Sequence, residues 1–284
     1  MITQIEVESI ARRAYDMRLS VIEMLLAAGS GHTAGPLGMA EVFATLYFHS
    51  LKHDPNNPHW AHRDRLILSN GHICPILYAA QAHSGYFKVA ELLTLRKFGS
   101  RLQGHPHRES LPSIDTSSGP LGSGLSQAIG MAIADRYIKH KPERHFYCLM
   151  GDGEMNEGQV WEALMLLSKE KLNKVITIID RNTIQIDGKT EDIMPLEPLG
   201  DKLRAFNLNV LEIDGHNVQA VANAIDEAKS VLHKPTVIIA HTVPGKGVIE
   251  FEGDYKWHGK SPNKDEAKEA IKELRTLRGQ IEHE

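Results

Sequence analysis

The chain has 284 residues, of which 42% are hydrophobic and 24% charged, a balance typical of a globular protein with a sizeable core. Its net charge is −4 without any basic block, which argues against nucleic acid as a partner, and no apolar run approaches the ~20 residues that span a bilayer. The amino terminus lacks a signal-peptide pattern, and Cys74 and Cys148 lie apart in apolar surroundings, so we expect buried thiols and a cytoplasmic location.

The first third of the chain alternates helical patterns with glycine-rich loops. The predicted elements are helices over 8–28, about 39–49 and about 73–83, and a short strand over 65–68. Gly29 is placed to end the first helix in a left-handed conformation. The segment 30–38 is too rich in glycine for regular structure and is predicted to be a loop.

Residues 145–188 carry the clearest pattern in the chain, strand, helix and strand. An apolar run over 145–150 ends at Gly-Asp-Gly, a helical pattern follows over about 156–171, and an Ile- and Val-rich run over 174–180 ends before Asn182. Such a βαβ unit makes its strands parallel. Asp152 and Asn182 then lie together at the carboxyl edge of the sheet, where ligands bind.

Asp152 and Asn182 offer a carboxylate and an amide oxygen. These hard donors suit Mg²⁺ or Ca²⁺ and are poor ligands for zinc. Two protein ligands leave an octahedral ion incomplete, and phosphate oxygens commonly complete it. Gly151 and Gly153 allow the backbone to turn sharply and approach a ligand closely. The pattern therefore predicts a metal that carries a di- or triphosphate, and the alternative is an Asx turn.

A second glycine-rich segment, residues 117–126, precedes a helix that continues to about Lys139. Gly119, Gly122 and Gly124 expose backbone N–H groups at the start of this helix, which can receive anionic or polar ligand groups. Close packing between helix and strand is the alternative explanation of the glycines.

The last third of the chain completes the α/β alternation. The predicted elements are a helix over about 200–206, a strand over 210–213, a helix over about 218–232, a strand over 236–240, a loop over 241–262 and a carboxyl-terminal helix over about 263–284. Asn263 and Glu266 are spaced like a capping box for that last helix. No interdomain linker is evident, so residues 1–284 are predicted to form one domain.

Four histidines adjoin glycines in the predicted loops. His32, His72 and His105 follow a glycine, and His258 precedes one. An imidazole can bind a hydroxyl or phosphate group and move a proton near neutral pH, although any one of these histidines taken alone is more often a structural residue bonded to backbone. Zinc is not favoured, because no HxxxH or HExxH pattern occurs. Glu157, after the Gly-Asp-Gly turn, either pairs across an interface or complements a helix dipole.

Seven pieces of the chain together resemble a known family. They are Ser30-Gly31-His32, Ser69-Asn70-Gly71-His72, Gly104-His105-Pro106, Gly119-Pro120-Leu121-Gly122, Gly151-Asp152-Gly153 with Glu157-Gly158, Asp180 to Gly188, and Trp257-His258-Gly259. Gly-Asp-Gly followed by 28 residues and Asn182 matches the thiamine diphosphate signature. The order of all the pieces is similar to that in the amino-terminal, diphosphate-binding half of transketolase.

The resemblance implies roles for individual residues. The implied ligands of Mg²⁺ (or Ca²⁺ or Mn²⁺) are Asp152, Asn182 and the backbone carbonyl of Ile184. The implied contacts of thiamine diphosphate are His72, Gly119, Leu121, Gly151, Gly153 and His258. The implied catalytic residues are His32, His105 and His258, which face the donor sugar, and Glu157, in a carboxylate network between active sites.

The resemblance also implies a fold, a reaction and a partner. The fold is α/β, a parallel sheet flanked by helices, as in the diphosphate-binding domain of thiamine-diphosphate enzymes. The reaction is transfer of a two-carbon ketol unit from a ketose to an aldose, generally as sugar phosphates. In the family, a glutamate of the following pyrimidine-binding domain activates the cofactor, and the chain stops before that domain. We therefore expect a split transketolase in which a second, carboxyl-terminal subunit completes an α₂β₂ heterotetramer.

Three departures and several alternatives accompany this interpretation. The family's usual Ser-Gly-His-Pro-Gly-Ala-Pro reads SGHTAGP here, His107 stands where glutamate is common, and Arg181 replaces a small polar residue before Asn182. The nearest alternatives are a subunit of a deoxyxylulose-phosphate synthase or of a 2-oxoacid dehydrogenase, and a non-catalytic interaction subunit. A Rossmann dehydrogenase is disfavoured, because Gly122-Ser123-Gly124 lacks the third glycine of GxGxxG.

Overall fold

The computed structural model describes residues 2–138 and 143–281, and its centre is a five-stranded parallel sheet. The strands of this sheet are β1 (Arg65–Leu68), β2 (Phe146–Gly151), β3 (Val175–Arg181), β6 (Asn209–Asp214) and β7 (Thr236–His241). Their spatial order is β1-β2-β3-β7-β6, so the strands that carry the Gly-Asp-Gly turn and Asn182 are neighbours near the middle. A small antiparallel hairpin joins β4 (Ile184–Gln185) to β5 (Gly188–Lys189).

Helices cover both faces of the sheet. The α-helices are α1 (Gln4–Ala28), α2 (Ala34–Gly38), α3 (Ala40–Thr45), α4 (Cys74–His83), α5 (Ser123–Asp135), α6 (Gly158–Lys169), α7 (Thr190–Ile193), α8 (Leu199–Ala205), α9 (Val218–Ser230) and α10 (Lys264–Ile281). Successive side chains of β2 point to opposite faces: Tyr147 and Leu149 join a core with α1, α4 and α9, while Cys148 joins a second core with α5 and α6. The predicted α/β class with a parallel, helix-flanked sheet is confirmed.

The local signals for helix ends are borne out by the backbone. Gly29 has φ 65° and donates its N–H to Leu25, which ends α1 as predicted. Asn263 Oδ1 accepts the N–H of Glu266 at 3.0 Å, and Glu266 accepts the N–H of Asn263 at 2.8 Å, which is the predicted capping box of α10. Lys139 and residues 282–284, which the helix predictions included, lie outside the described residues.

The prediction of a loop over 30–38 was wrong, because Ala34–Gly38 forms the buried helix α2. Close packing decides this conformation against the low helix propensity of glycine. A Cβ added to Gly35 would lie 2.7 Å from Cγ2 of Ile73, and one added to Gly38 would lie 3.0 Å from the Val243 carbonyl oxygen. These glycines allow neighbouring segments to pack closely against the helix backbone, and they do not mark a flexible loop.

Two further features differ from the predicted chain. The β4–β5 hairpin and the helical turn α7 lie where no regular element was predicted, and both are too short for a periodic signal. The thiols of Cys74 and Cys148 are buried and not paired with each other, as predicted.

No helix in the described ranges combines the length and apolar character needed to cross a membrane.

Candidate functional site

A cavity of about 360 Å³ opens at the carboxyl edge of the sheet, where β2 and β3 end. Seven segments of the chain form its wall. The lining residues are His32, Gly35, Asn70, His72, His105, Gly119, Leu121, Gly151, Asp152, Gly153, Glu154, Asp180, Asn182, Ile184, Gln185, Ile186, Asp187 and His258. This is the edge at which parallel sheets present residues to ligands.

Asp152 is held rigidly at the end of β2. Its carboxylate accepts three hydrogen bonds: Oδ1 from the N–H of Gly153 at 2.7 Å, and Oδ2 from the N–H of Thr183 at 2.7 Å and from Arg181 at 2.9 Å. Burial raises the pKa of Asp152, and the bonds from Arg181 and Thr183 oppose this rise. The carboxylate is thus 1% exposed, and these three donors compensate for most of the hydrogen bonds that it loses to water.

Asn182 lies one strand away and is fixed by its neighbours. Its Nδ2 donates to Oδ2 of Asp180 at 2.8 Å, which identifies the other atom, Oδ1, as the amide oxygen. This Oδ1 accepts the N–H of Ile184 at 3.0 Å. Asp180 is also bonded by the hydroxyl of Thr242. Burial raises the pKa of Asp180 to about 7, and the nearby Asp152 charge adds to the rise. Asp180, itself in the cavity wall, thus orients the Asn182 side chain.

Three histidines that are distant in sequence meet in the cavity wall. The ring centroids of His32 and His72 are 4.9 Å apart, those of His72 and His258 5.1 Å, and those of His32 and His258 5.7 Å. His105 lines the same cavity. Chain positions that span more than two hundred residues of sequence therefore contribute to one cluster of imidazoles.

Partial burial, which is least complete for the exposed His105, favours the neutral form of these imidazoles. It lowers the pKa of His32 to about 4, with help from the neighbouring His258, Arg96 and His105. It also lowers the pKa of His72 well below the usual histidine value and, to a smaller extent, the pKa values of His105 and His258. A neutral imidazole can either donate or accept a hydrogen bond, which suits binding of a hydroxyl and transfer of its proton.

A buried glutamate connects the glycine-rich segment to the Gly-Asp-Gly turn. Oε1 of Glu154 accepts the N–H of Gly122 at 2.6 Å and the hydroxyl of Ser69, and Oε2 accepts the N–H of Gly151 at 3.1 Å. Gly122 has φ 80°, a left-handed conformation just before α5. Glu154 thereby fixes the segment that places Gly119 and Leu121 on the cavity wall.

The residues at this edge fit a magnesium ion and a polar, phosphorylated cofactor. No cluster of three His, Cys, Asp or Glu side chains suited to a metal occurs within residues 2–138 and 143–281, so an ion at Asp152 would need amide and carbonyl oxygens as further ligands. Within the same ranges, three buried polar atoms of lining residues have no hydrogen-bond partner, Nδ1 of His32, Oδ1 of Asn70 and Nε2 of Gln185. Buried polar atoms are normally satisfied, so these three indicate a ligand.

All but one of the predicted site residues line the cavity. Glu157 does not: it is exposed at the start of α6, beside Gly122, where a carboxylate network with another chain remains a prediction. Sequence reasoning missed Asn70, Glu154, Asp180 and Gln185. Asn70, Asp180 and Gln185 lay within quoted motifs without being given a role, and Glu154 directly follows the Gly-Asp-Gly turn. Their positions at or just after the carboxyl ends of strands are a signal that could have identified them.

Comparison with known proteins identifies a family. The transketolase, thiamine diphosphate binding domain family matches residues 10–279. The chain is 43% identical over 258 residues to the 6-deoxy-6-sulfo-D-fructose transketolase subunit SqwG of Clostridium sp. (strain MSTE9), a match that covers 91% of this chain and 93% of the relative. It is 37% identical over 269 residues to one of the apulose-4-phosphate transketolase subunits of Phocaeicola vulgatus, a match that covers 95% of both chains.

A solved structure extends the similarity to three dimensions. Transketolase from Campylobacter jejuni superimposes with a TM-score of 0.86 at 34% sequence identity. The match covers 97% of this chain but 43% of that transketolase chain. The chain therefore spans less than half of a single-chain transketolase and nearly the whole of the two subunits named above.

Proposed function

The chain belongs to the transketolase family, and we propose that it is the amino-terminal subunit of a two-chain transketolase that transfers a two-carbon ketol unit from a ketose to an aldose. The observation that carries this proposal is the match over almost the full length of relatives named as transketolase subunits. The cavity supports it, since it holds both an oxygen-donor pair for a metal and a cluster of neutral histidines.

The metal and the cofactor would occupy the sheet edge. Asp152, Asn182 and the carbonyl of Ile184 would hold Mg²⁺, or Ca²⁺ or Mn²⁺, while the backbone of Gly151 and Gly153 would approach the diphosphate. His72 and His258 would donate hydrogen bonds to the diphosphate. Gly119 and Leu121 would lie along the cofactor rings. Bound thiamine diphosphate supplies the carbanion-stabilising chemistry of the reaction.

The chain's own residues would act on the donor sugar. His32, His105 and His258 would bind its hydroxyl groups, and as neutral imidazoles they can accept a hydroxyl proton and return it. The loops that carry them form part of the cavity wall. The sugars themselves, ordinary pentose phosphates or a dedicated sulfosugar or branched sugar phosphate, are to be found by assay.

A second subunit would complete the site. Among the described residues, Glu154 is the glutamate that lines the cavity, and its oxygens are occupied by Ser69, Gly122 and Gly151. The carboxylate that activates the cofactor would then come from a partner with a pyrimidine-binding domain. We propose an α₂β₂ heterotetramer in which Glu157, exposed beside the glycine-rich segment, contributes to a carboxylate network across the interface.

Copurification tests this proposal. A tagged chain would be produced in its native host, the copurifying protein identified and the complex weighed by native mass spectrometry. Ketose–aldose exchange is expected from the two-chain complex and not from the chain alone. Full exchange by the purified chain would contradict the need for a partner, and oxoacid decarboxylation without exchange would contradict the reaction.

A further inference from the structure

Arg181 places a guanidinium in the interior of the protein, directly behind the Asp152 carboxylate. It is the last residue of β3, and it is 4% exposed. A buried charge is costly unless it is paired and hydrogen-bonded. The position also differs from the family pattern, in which a small polar residue precedes the asparagine, so this arrangement does not follow from the shared motif.

The guanidinium joins two parts of the chain. Nη1 donates to Oδ2 of Asp152 at 2.9 Å and to the hydroxyl of Thr190 at 2.8 Å. Nη2 donates to Oε1 of Glu191 at 2.8 Å and to Oε1 of Glu197 at 2.9 Å. One residue therefore connects the end of β2 to the segment 190–197.

We propose that Arg181 is a positioning residue that fixes the Asp152 carboxylate as a metal ligand, an inference that rests on the proposed metal site. Each carboxylate oxygen has about two directions in which it accepts a hydrogen bond or binds a metal. Oδ2 uses both, for the N–H of Thr183 and for Arg181. Oδ1 uses one, for the N–H of Gly153, and keeps the other for an ion.

The acidic partners of Arg181 explain how its positive charge can lie so close to the proposed metal site. Three carboxylates, those of Asp152, Glu191 and Glu197, contact the single guanidinium, so the group as a whole is negative. Attraction of a divalent ion is therefore preserved. A lysine could not reproduce the arrangement, because its single ammonium lacks the planar fork that reaches several acceptors in fixed directions.

The segment 190–197 is itself folded around this contact. Glu191 accepts the N–H groups of Leu196 and Glu197 at 3.1 and 3.4 Å, and Glu197 accepts the N–H of Leu199 at 2.8 Å. The carboxylates that hold Arg181 are thus held by backbone donors. Arg181 orients the Asp152 carboxylate, and the segment 190–197 holds Arg181. The segment therefore contributes indirectly to the position of the proposed metal ligand.

Calorimetry on the two-chain complex tests the inference. Thiamine diphosphate would be titrated at a series of Mg²⁺ concentrations into the wild type, Arg181→Met and Arg181→Lys. Loss of a residue that orients a metal ligand typically costs 10–100-fold in metal affinity, so we expect both variants to need at least about tenfold more Mg²⁺ for half-maximal binding. Arg181→Lys keeps the positive charge, so it allows the same measurement if Arg181→Met does not fold.

Arg63→Met is the matched control. Arg63 is also buried and forms a bidentate ion pair, with Asp115 at 2.7 and 3.0 Å, but it lies outside the cavity wall. Its loss should lower thermal stability and leave the Mg²⁺ requirement unchanged. An unchanged or lower Mg²⁺ requirement in a folded Arg181 variant would overturn the inference. Absence of Mg²⁺-dependent binding in the wild type would instead contradict the proposed cofactor site itself.

Discussion

The hydroxyl of Thr33 donates a hydrogen bond to the backbone carbonyl of Lys260, 2.5 Å away and 227 residues later in the chain. This bond joins the segment of His32 to the segment of His258, because Thr33 directly follows His32 and Lys260 is two residues after His258. The family pattern has proline in place of Thr33, so this chain fixes the two loops with a side-chain hydrogen bond.

Thr33→Val should therefore loosen the histidine cluster. Valine keeps the shape of threonine but leaves the carbonyl without its donor, which we expect to cost about 1 kcal/mol of unfolding free energy. Urea unfolding measures the loss, and limited proteolysis should show faster cleavage within 249–262.

Thr177→Val provides the opposite case. Thr177 is buried in β3, and its hydroxyl has no partner within the described parts of the chain. Replacing this hydroxyl with a methyl group should be neutral or stabilising, because no hydrogen bond is lost. Equal destabilisation by the two substitutions would show that the bond from Thr33 has no particular effect.

Asp152→Ala should abolish Mg²⁺-dependent binding of thiamine diphosphate. The substitution removes the carboxylate and leaves Asn182 as the remaining side-chain ligand, which cannot hold an octahedral ion in place. Isothermal titration with and without Mg²⁺ measures the effect. Asp187→Asn, at an exposed acid on the cavity rim, should bind almost as well as the wild type. Unchanged affinity in Asp152→Ala would refute the assigned role.

The buried neutral His32 should make the protein sensitive to acid. Its pKa is about 4 in the fold against 6.5 for an ordinary histidine, so the unfolded chain takes up a proton first as the pH falls. The stabilising contribution is complete above the unfolded value and is lost progressively as the pH falls from 6.5 towards 4.

The loss attributable to His32 amounts to about 2 kcal/mol at pH 5. His32→Gln should remove that part of the pH dependence, and it can be measured as the difference in urea midpoint between pH 7.5 and pH 5. His233→Gln, at an exposed position, is the control. A pH dependence in His32→Gln as steep as that of the wild type would argue against a buried neutral imidazole.

Alanine at two glycines of one region should act in opposite directions. Gly122 has φ 80°, and an added Cβ would lie 2.9 Å from Cβ of Glu157, so Gly122→Ala should destabilise the protein by about 1–2 kcal/mol. Gly130 lies within α5 with nothing within 4 Å of an added Cβ, so Gly130→Ala should stabilise by about 0.5–1 kcal/mol. Thermal unfolding measures both, and a destabilising Gly130→Ala would contradict the open space at that position.

The sequence alone determined those features that depend on local periodicity. Ile and Val runs predicted the strands, the apolar stripes predicted the long helices, and Gly29 and Asn263 marked helix ends through their own backbone or side-chain chemistry. Because parallel strands meet at one edge, the placement of Asp152 beside Asn182 also followed. The motifs in their order were enough to indicate the family.

Only the tertiary structure decided what depends on contacts between distant segments. The helix α2 forms against the preference of its glycines because neighbouring residues leave no room for side chains. No periodic signal in the sequence predicts three of the contacts, because the sheet and its crossovers bring their partners together. They are the ion pair of Arg181 with Asp152, the hydrogen bonds that Glu154 accepts, and the bond from Thr33 to Lys260. The partial burial that lowers the pKa values of the four histidines is likewise a property of the folded chain and of no single residue.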